Sequence, residues 1–389
     1  MSPLRVLVVT DRISGRGGAD RHLWDVVDAL KRRGDHVRVA TGRVDPGAAP
    51  QLPGAAPPIR SRALASAVAS HRQLDRLRPH MDRADVLLVQ NVMNPTALRL
   101  LSETGRAVAL VQDHRVFCPG PGRTLPNGER CDRQPTAAAC AECLPDADYR
   151  ARALALTQAR RDALAGAEVV VLSQYMQQEM GEGAVIPPWI SVDSAPPEGP
   201  RDRIVLAGRM VSHKAVADAH RAWQMAGEPL PLHVAGEGPD ADAMTGAHHH
   251  GWLPRPELWA LLRRARVVLF PARWQEPFGI LGVEALACGA PVVVADVGGV
   301  RDWAQGGATR VAAGDVPGMA DALRGLCEGP AEAEPIAKAR ENAIRERYAI
   351  NALLPLWDAV LARAASGQPR VSDHAVSDHA VSDEPVGPG

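Results

Sequence analysis

The chain has 389 residues, 46% of them hydrophobic and 23% charged, with a formal net charge of -1 at pH 7. That length suits two domains of ordinary size, each able to bury its own core. The near-neutral balance leaves no electrostatic footprint for nucleic acid or an anionic membrane, and no apolar run approaches the roughly 18 residues of a membrane span.

The start of the chain reads as structure. Leu4 to Thr10 is an apolar strand, and the segment lacks the longer apolar region and cleavage site of a signal peptide, so a cytoplasmic protein is expected. A glycine-rich turn with Gly15, Gly17 and Gly18 follows. Next come a helix with apolar positions at Leu23, Val26, Val27 and Leu30, and a strand from His36 to Thr41. This is a βαβ unit. Its turn lacks the spacing of a dinucleotide fingerprint. Glycine serves there either to make a tight turn or to bring backbone close to an anionic or hydroxyl-rich ligand at a helix amino end.

Residues 42–61, rich in Pro, Gly and Ala, read as a loop, and 65–81 as a helix with Arg and His on one face, whose membrane contact is at most peripheral. A strand at 85–91, a helix at 95–103 and a strand at 107–112 follow. The last ends in Gln112-Asp113-His114-Arg115, at a strand's carboxyl end, where open α/β sheets bind ligands.

Four of the six cysteines, Cys118, Cys131, Cys140 and Cys143, then fall within 26 residues, the final pair as C-x-x-C. In a cytoplasmic protein such clustering favours a structural zinc ion, since four thiolates close a tetrahedral site. Two disulfides, or free thiols in a loop, are the alternatives. Cys288 and Cys327 lie on apolar helix faces and read as core.

A helix at 148–166, a strand at 168–172, a short helix opened by Ser173 and a strand at 185–189 complete the first domain. The Pro-rich stretch 191–202 is the linker. The second domain opens with a buried strand running into Gly208-Arg209-Met-Val-Ser-His-Lys214. A guanidinium fork and an ammonium five residues apart suit a leaving diphosphate, and lysine occurs only at 31, 214 and 338. The plain alternative is two exposed bases at a helix start, the wrong end for the dipole. The strand 232–235 runs into Gly236-Glu237-Gly238. His248, His249 and His250 are adjacent and read as structural, because neighbouring imidazoles do not readily face one point.

The most informative stretch is Glu276-Pro-Phe-Gly-Ile-Leu-Gly-Val-Glu284, between a strand at 266–270 and a strand at 291–295, with the helix 278–288 ended by Gly289. Glu276 sits at a strand's carboxyl end, and Glu284 lies two turns into the helix. Gly298 and Gly299 follow the next strand's end, where their amides are placed to cradle phosphate oxygens. Asp302 is positioned as a helix cap.

Glu-x7-Glu with Phe-Gly inside, then Ala-Cys-Gly-Ala-Pro-Val-Val and Gly298-Gly299-Val-Arg-Asp302, resembles the retaining glycosyltransferases of family 4, which have the GT-B fold. The resemblance covers residues 4 to 365 and is most specific between Gly208 and Asp302. It implies two doubly wound Rossmann-like domains facing a cleft. Glu276 is then expected against the donor sugar and Glu284 on the ribose hydroxyls, with Arg209 and Lys214 on the diphosphate. Gly17 and Gly18 are expected near the phosphates and acceptor. Gly236 and Glu237 border the nucleotide pocket, Leu253 lies beside the base, and Phe278, Gly279, Ile280 and Leu281 belong to the donor-binding motif. Related enzymes carry a sugar-facing His where this chain has Gln112, which leaves His114 or Asp113 to take that role. A similar Cys-bearing insertion occurs after the same strand in some members of the family.

The resulting division is an acceptor-side domain at 1–190 with a Cys-rich insertion at 114–147, a nucleotide-sugar domain at 191–350, a helix at 351–366 crossing back to the first domain, and a disordered tail at 367–389. The expected activity is metal-independent, retaining transfer of a hexose or N-acetylhexosamine. The donor is a nucleotide-diphosphate sugar, by family habit a UDP-sugar, and the acceptor hydroxyl belongs to a glycan or a small natural product. No catalytic cofactor and no nucleic-acid partner are expected. Two rivals are a nucleotide-sugar 2-epimerase of the same fold, which needs no acceptor, and a zinc-stabilised nucleic-acid binding module, which predicts a basic face.

Overall fold

The computed structural model describes residues 2–15, 17–46, 48, 57–68, 71–192, 199–330 and 334–367. The tail, beyond Gly367, and much of the linker lie outside them. Two parallel sheets form, each built by strand-helix alternation. The first contains β1 (Arg5–Ile13), β2 (His36–Val44), β3 (Ile59–Arg60), β4 (Val86–Gln90), β5 (Ala107–Val111), β6 (Glu168–Val171) and β7 (Ala184–Val185), in the order 3-2-1-4-5-6-7. Its helices are α1 (Gly18–Arg32), α2 (Arg78–Arg83), α3 (Pro95–Ser102), α4 (Ala147–Asp162) and α5 (Gln174–Met180).

The second sheet contains β8 (Arg203–Ala207), β9 (Leu232–Ala235), β10 (His248–His249), β11 (Ala265–Phe270), β12 (Val292–Ala295) and β13 (Ala308–Val311), in the order 10-9-8-11-12-13. Its helices are α6 (Val216–Met225), α7 (Arg255–Arg263), α8 (Ile280–Ala287), α9 (Arg301–Ala304), α10 (Val316–Glu328) and α11 (Glu334–Arg347). The central strands β4, β5 and β12 are buried along their whole length, as strands covered by helices on both faces must be. In both sheets the order reverses beside the first strand, which opens a crevice at the carboxyl ends of the strands.

The last helix, α12 (Ile350–Ser366), returns to the first domain. It packs on β4, β5 and β6 and buries Leu353, Trp357, Val360, Leu361 and Ala364. Trp357 and Trp189 both stand edge-on to the buried His22 ring of α1, at 6.4 and 6.2 Å.

Three local expectations are corrected. The helix predicted over 65–81 is replaced by 3-10 turns at 62–64 and 71–74 and the short α2. Pro79 has no N–H and its ring clashes with the carbonyl four residues earlier, so a helix begins there and does not run through. The strand predicted at 185–189 ends at Val185, because Pro187 and Pro188 offer no ladder donors. Within the stretch predicted as loop, β2 runs on to Val44 and β3 pairs with it through Ala40 and Thr41.

Candidate active site

The loop after β11 holds Glu276, which is 4% exposed. Its Oε1 accepts from the Trp274 indole Nε1 at 2.6 Å and from the Lys214 ammonium. Lys214 comes from the 3-10 turn after β8, so two neighbouring parallel strands deliver the pair. Its ammonium also lies over the rings of Trp274 and Phe270, 5.1 and 5.8 Å from their centroids. Glu276 Oε2 has no partner among the described residues, which leaves it as a spare acceptor beside a half-buried ion pair. Arg209 lies exposed at the start of the same loop.

Gly208 and Gly236 explain how that loop is held. A Cβ on Gly236 would sit 1.7 Å from the Gly208 carbonyl oxygen, and one on Gly238 2.1 Å from that of Met210. Both turns therefore zip together backbone to backbone: Gly208 N donates to Ala235 O, and Met210 N to Glu237 O, at 2.9 Å. Glu237 is exposed, and Leu253 is half-buried.

Glu284 is 5% exposed in α8, and its Oε1 accepts from Arg255 Nε and from Trp259 Nε1, each at 3.2 Å. Burial pushes its carboxyl above the usual range, with Arg255 opposing. Arg255 reaches across to the first domain as well, where its Nη1 lies 2.9 and 3.1 Å from the two carboxylate oxygens of Asp25.

The glycine turn of the first domain closes on the second. A Cβ on Gly18 would lie 3.2 Å from Ile280 Cδ1, so Gly18 faces the head of α8, the helix of Glu284, while one on Gly17 would meet only Asp20 of its own domain, at 3.8 Å. Gly17 has φ +115, a backbone that disfavours any other residue. Gln112 supports this turn, donating from Nε2 to Ala19 O at 3.0 Å and meeting His22 Nδ1 at 3.3 Å. It occupies the place where the family resemblance implies a sugar-facing His, yet here it braces backbone.

His114 lies buried against Trp274, 5.2 Å between ring centroids, and its Nε2 meets the Tyr175 hydroxyl at 3.1 Å. Burial pushes its pKa down to about 4, so it is neutral at pH 7. Asp113 accepts from the amide and Nε of Arg115, at 3.0 and 2.7 Å.

Three expectations change in detail. The amides of Gly298 and Gly299 are already in use: Gly298 N donates to Gln275 Oε1 at 2.9 Å and Gly299 N to Glu276 O at 2.7 Å. They fasten the Glu276 loop and are closed to phosphate. The Phe278 ring is 2% exposed and packs edge-on to Tyr348 at 5.6 Å, so it anchors the motif in the core and offers no surface to a donor. Asp302 does cap a helix, but in the other domain: its Oδ2 accepts from Gln174 N at the start of α5, at 2.8 Å. Beside it Ser173 Oγ donates to Pro277 O at 2.6 Å.

Sequence reading did not single out Trp274, Arg255, Trp259, Asp25 or Tyr175. A tryptophan two residues before Glu276 was the one local signal among them. The four clustered cysteines are all unbonded, and among the described residues no group of His, Cys, Asp or Glu stands placed to hold a metal ion.

With this geometry in hand, residues 201–329 match the family model described as glycosyl transferases group 1. The match falls within the second domain. Over 175 residues the chain is 32% identical to a glycogen synthase of Mycobacterium tuberculosis, covering 41% of this chain and 42% of that one. Over 112 residues it is 42% identical to a D-inositol 3-phosphate glycosyltransferase of Mycobacterium avium, covering 28% and 25%. The chain thus spans less than half the length of these curated relatives. Among solved structures, the Anabaena protein Alr3699/HepE in complex with UDP-glucose superposes with a TM-score of 0.67 at 15% identity, over 92% of this chain and 99% of that one. A sucrose-phosphate synthase from Thermosynechococcus elongatus gives 0.65 at 17% identity, over 94% and 100%. Likeness over more than 90% of the chain establishes the GT-B fold for both domains together. No helix among the described residues is long and apolar enough to cross a membrane.

Proposed function

We propose that the protein is a glycosyltransferase that moves a sugar from a nucleotide-diphosphate donor to an acceptor hydroxyl, with retention of anomeric configuration. One observation carries the reading: Lys214 and Glu276, from neighbouring strand ends in the region that matches group 1 glycosyl transferases, meet in a half-buried, tryptophan-walled ion pair.

The residues divide the work by charge. Arg209 and Lys214 supply cations to a leaving diphosphate, which catalysis by electrostatic stabilisation requires where charge develops. Lys214 rests on Glu276 and turns to the phosphates once a donor arrives. Glu276 Oε2 takes sugar hydroxyls, which suits a hexose or N-acetylhexosamine. Glu284 takes the ribose, in exchange for part of its bond to Arg255. No carboxylate stands as an obvious covalent nucleophile. Departure and attack on one face of the sugar, with the leaving phosphate receiving the acceptor proton, is the route these groups serve. These side chains provide the needed charge without a catalytic metal.

UDP is the favoured nucleotide, since the superposing Anabaena structure holds UDP-glucose. The acceptor side is the first domain, where Asp11, Asp20, Arg12 and Arg115 surround the glycine turn and offer both donors and acceptors to a polyhydroxylated alcohol. A nucleotide-sugar 2-epimerase finds no support among the named relatives, which are a synthase and a glycosyltransferase. The test is a thermal-shift panel of UDP, GDP, ADP and dTDP sugars, followed by an acceptor screen with NMR of the product's anomeric proton. Stabilisation by one nucleotide class and a product of retained configuration are expected. No shift with any donor, or an inverted product, overturns the reading.

A further inference from the structure

We propose that Trp274 is the positioning residue of Glu276, and that the first domain, through Gly122 and His114, holds it in that role across the cleft. Glu276 Oε1 has two donors, the Lys214 ammonium and the Trp274 indole Nε1, the latter at 2.6 Å. They differ in permanence. A lysine head swings on a flexible four-carbon stem, whereas a packed indole ring keeps its place. The last torsion of a glutamate is broad, so a carboxylate held by one mobile cation has no fixed plane. The inference rests on the function proposed above, in which Lys214 turns to the phosphates once a donor arrives. The indole N–H then keeps Oε1 in place and leaves Oε2 free for the sugar.

Both domains hold the indole. From its own domain the His213 ring stands 4.8 Å away, centroid to centroid, and the His213 carbonyl accepts from Arg273 N at 3.2 Å. From the first domain comes His114, at 5.2 Å, with its Nε2 meeting the Tyr175 hydroxyl at 3.1 Å. The turn at Gly122 closes on the ring's edge. A Cβ there would lie 2.8 Å from Trp274 Cε3 and 3.2 Å from His114 Nδ1, and its φ is +73, so the close approach needs glycine. Backbone fixes it further: Gln275 N donates to Gly122 O at 3.3 Å, and Thr124 Oγ1 to Arg273 O at 3.5 Å.

Arg273, Trp274 and Gln275, the three residues leading into Glu276, thus each touch the insertion between β5 and α4. The orientation of a carboxylate in the second domain is completed by the first. A widened cleft would lose the Gly122 and His114 contacts, and with them the fixed plane of Glu276.

The indole proton itself reports the contact. In protein labelled with nitrogen-15 tryptophan, one of the eight indole N–H signals should lie far downfield, as a short hydrogen bond to a carboxylate requires. Trp274→Phe should delete that signal, and Glu276→Gln and Gly122→Ala should each move it upfield. In sugar transfer, Trp274→Phe should lower kcat about tenfold or more, the scale of one hydrogen bond to a charged group, with the dissociation constant of free nucleotide kept within about twofold. Gly122→Ala should show the same split, and the double variant should be no worse than the poorer single one, because both act through one contact. If Gly122→Ala fails to fold, Thr124→Val, which keeps the volume and removes the donor to Arg273, should shift the signal in its place. A Trp274→Phe enzyme with wild-type kcat, or an indole signal indifferent to the first-domain substitution, overturns the proposal. A downfield signal that responds to every substitution in a protein that transfers no sugar would uphold the hold on Glu276 and overturn the function proposed above.

Discussion

Asp25 of the first domain and Glu284 of the second share a single cation. Arg255 places Nη1 2.9 Å from Asp25 Oδ2 and Nε 3.2 Å from Glu284 Oε1, with all three side chains largely shielded. The carboxylate expected to receive the ribose is thus tied, through one guanidinium, to the opposite wall of the cleft. Removing the cation leaves a buried carboxylate unpaired, which takes up a proton more readily. Arg255→Gln should therefore weaken nucleotide binding about tenfold, the scale of one charged hydrogen bond. The loss should be larger at pH 6 than at pH 8, since protonation removes the carboxylate. Calorimetric titration with the preferred nucleotide at both pH values checks this; equal affinity to wild type would separate Glu284 from the nucleotide.

The two glutamates should fail differently. Glu284→Ala is expected to raise the dissociation constant for nucleotide, and Glu276→Ala to lower kcat by two orders of magnitude or more with nucleotide affinity nearly kept. Steady-state kinetics beside direct binding measure the split. Activity within a few-fold of wild type in both variants would mean the site lies elsewhere.

Gly298 predicts a steric effect. It has φ +51, and a Cβ there would stand 2.3 Å from Glu276 O. Gly298→Ala must push the Glu276 loop aside. A loss of about 1–3 kcal/mol of stability is expected, in the range for overpacking, together with a fall in kcat larger than any change in donor affinity. Urea unfolding and kinetics on the same preparation test the pairing of the two effects.

Asp20 supplies a pH signature. It is 3% exposed at the start of α1, paired to Arg12 at 3.1 Å, and burial pushes its pKa up to about 6. A carboxyl raised in the folded state favours folding while protonated. Its contribution is complete below pH 4 and disappears as pH rises through 6. A shift of about two units corresponds to about 3 kcal/mol. The melting temperature of Asp20→Asn minus that of wild type should therefore increase between pH 5 and pH 7.5. A flat difference would show that the folded protein leaves this group unshifted.

Much of this was legible in the chain because it is local. Strand-helix alternation foretold both sheets, and Lys214 and Glu276 do follow the ends of neighbouring parallel strands. What escaped was set by partners distant in sequence. Asp25 and Arg255 are 230 residues apart, and nothing near either announces the other. Gly298 and Gly299 followed a strand end, as phosphate-binding glycines do, yet the neighbouring loop had already taken their amides. Phe278 sits inside a binding motif, but its large apolar ring finds more contact in the core than at a polar site. The helix expected over 65–81 overlooked Pro79, a signal that was in plain view.

The placement of α12 has a consequence for vectorial synthesis. The first domain is translated first, yet the face of β4, β5 and β6 that Trp357 and Leu361 cover stays bare until the last helix leaves the ribosome. Throughout translation of the whole second domain the nascent chain exposes an apolar sheet face, the kind of surface on which chaperones act. Shortening the chain before Ile350 would therefore cripple the domain made first and spare the one made last.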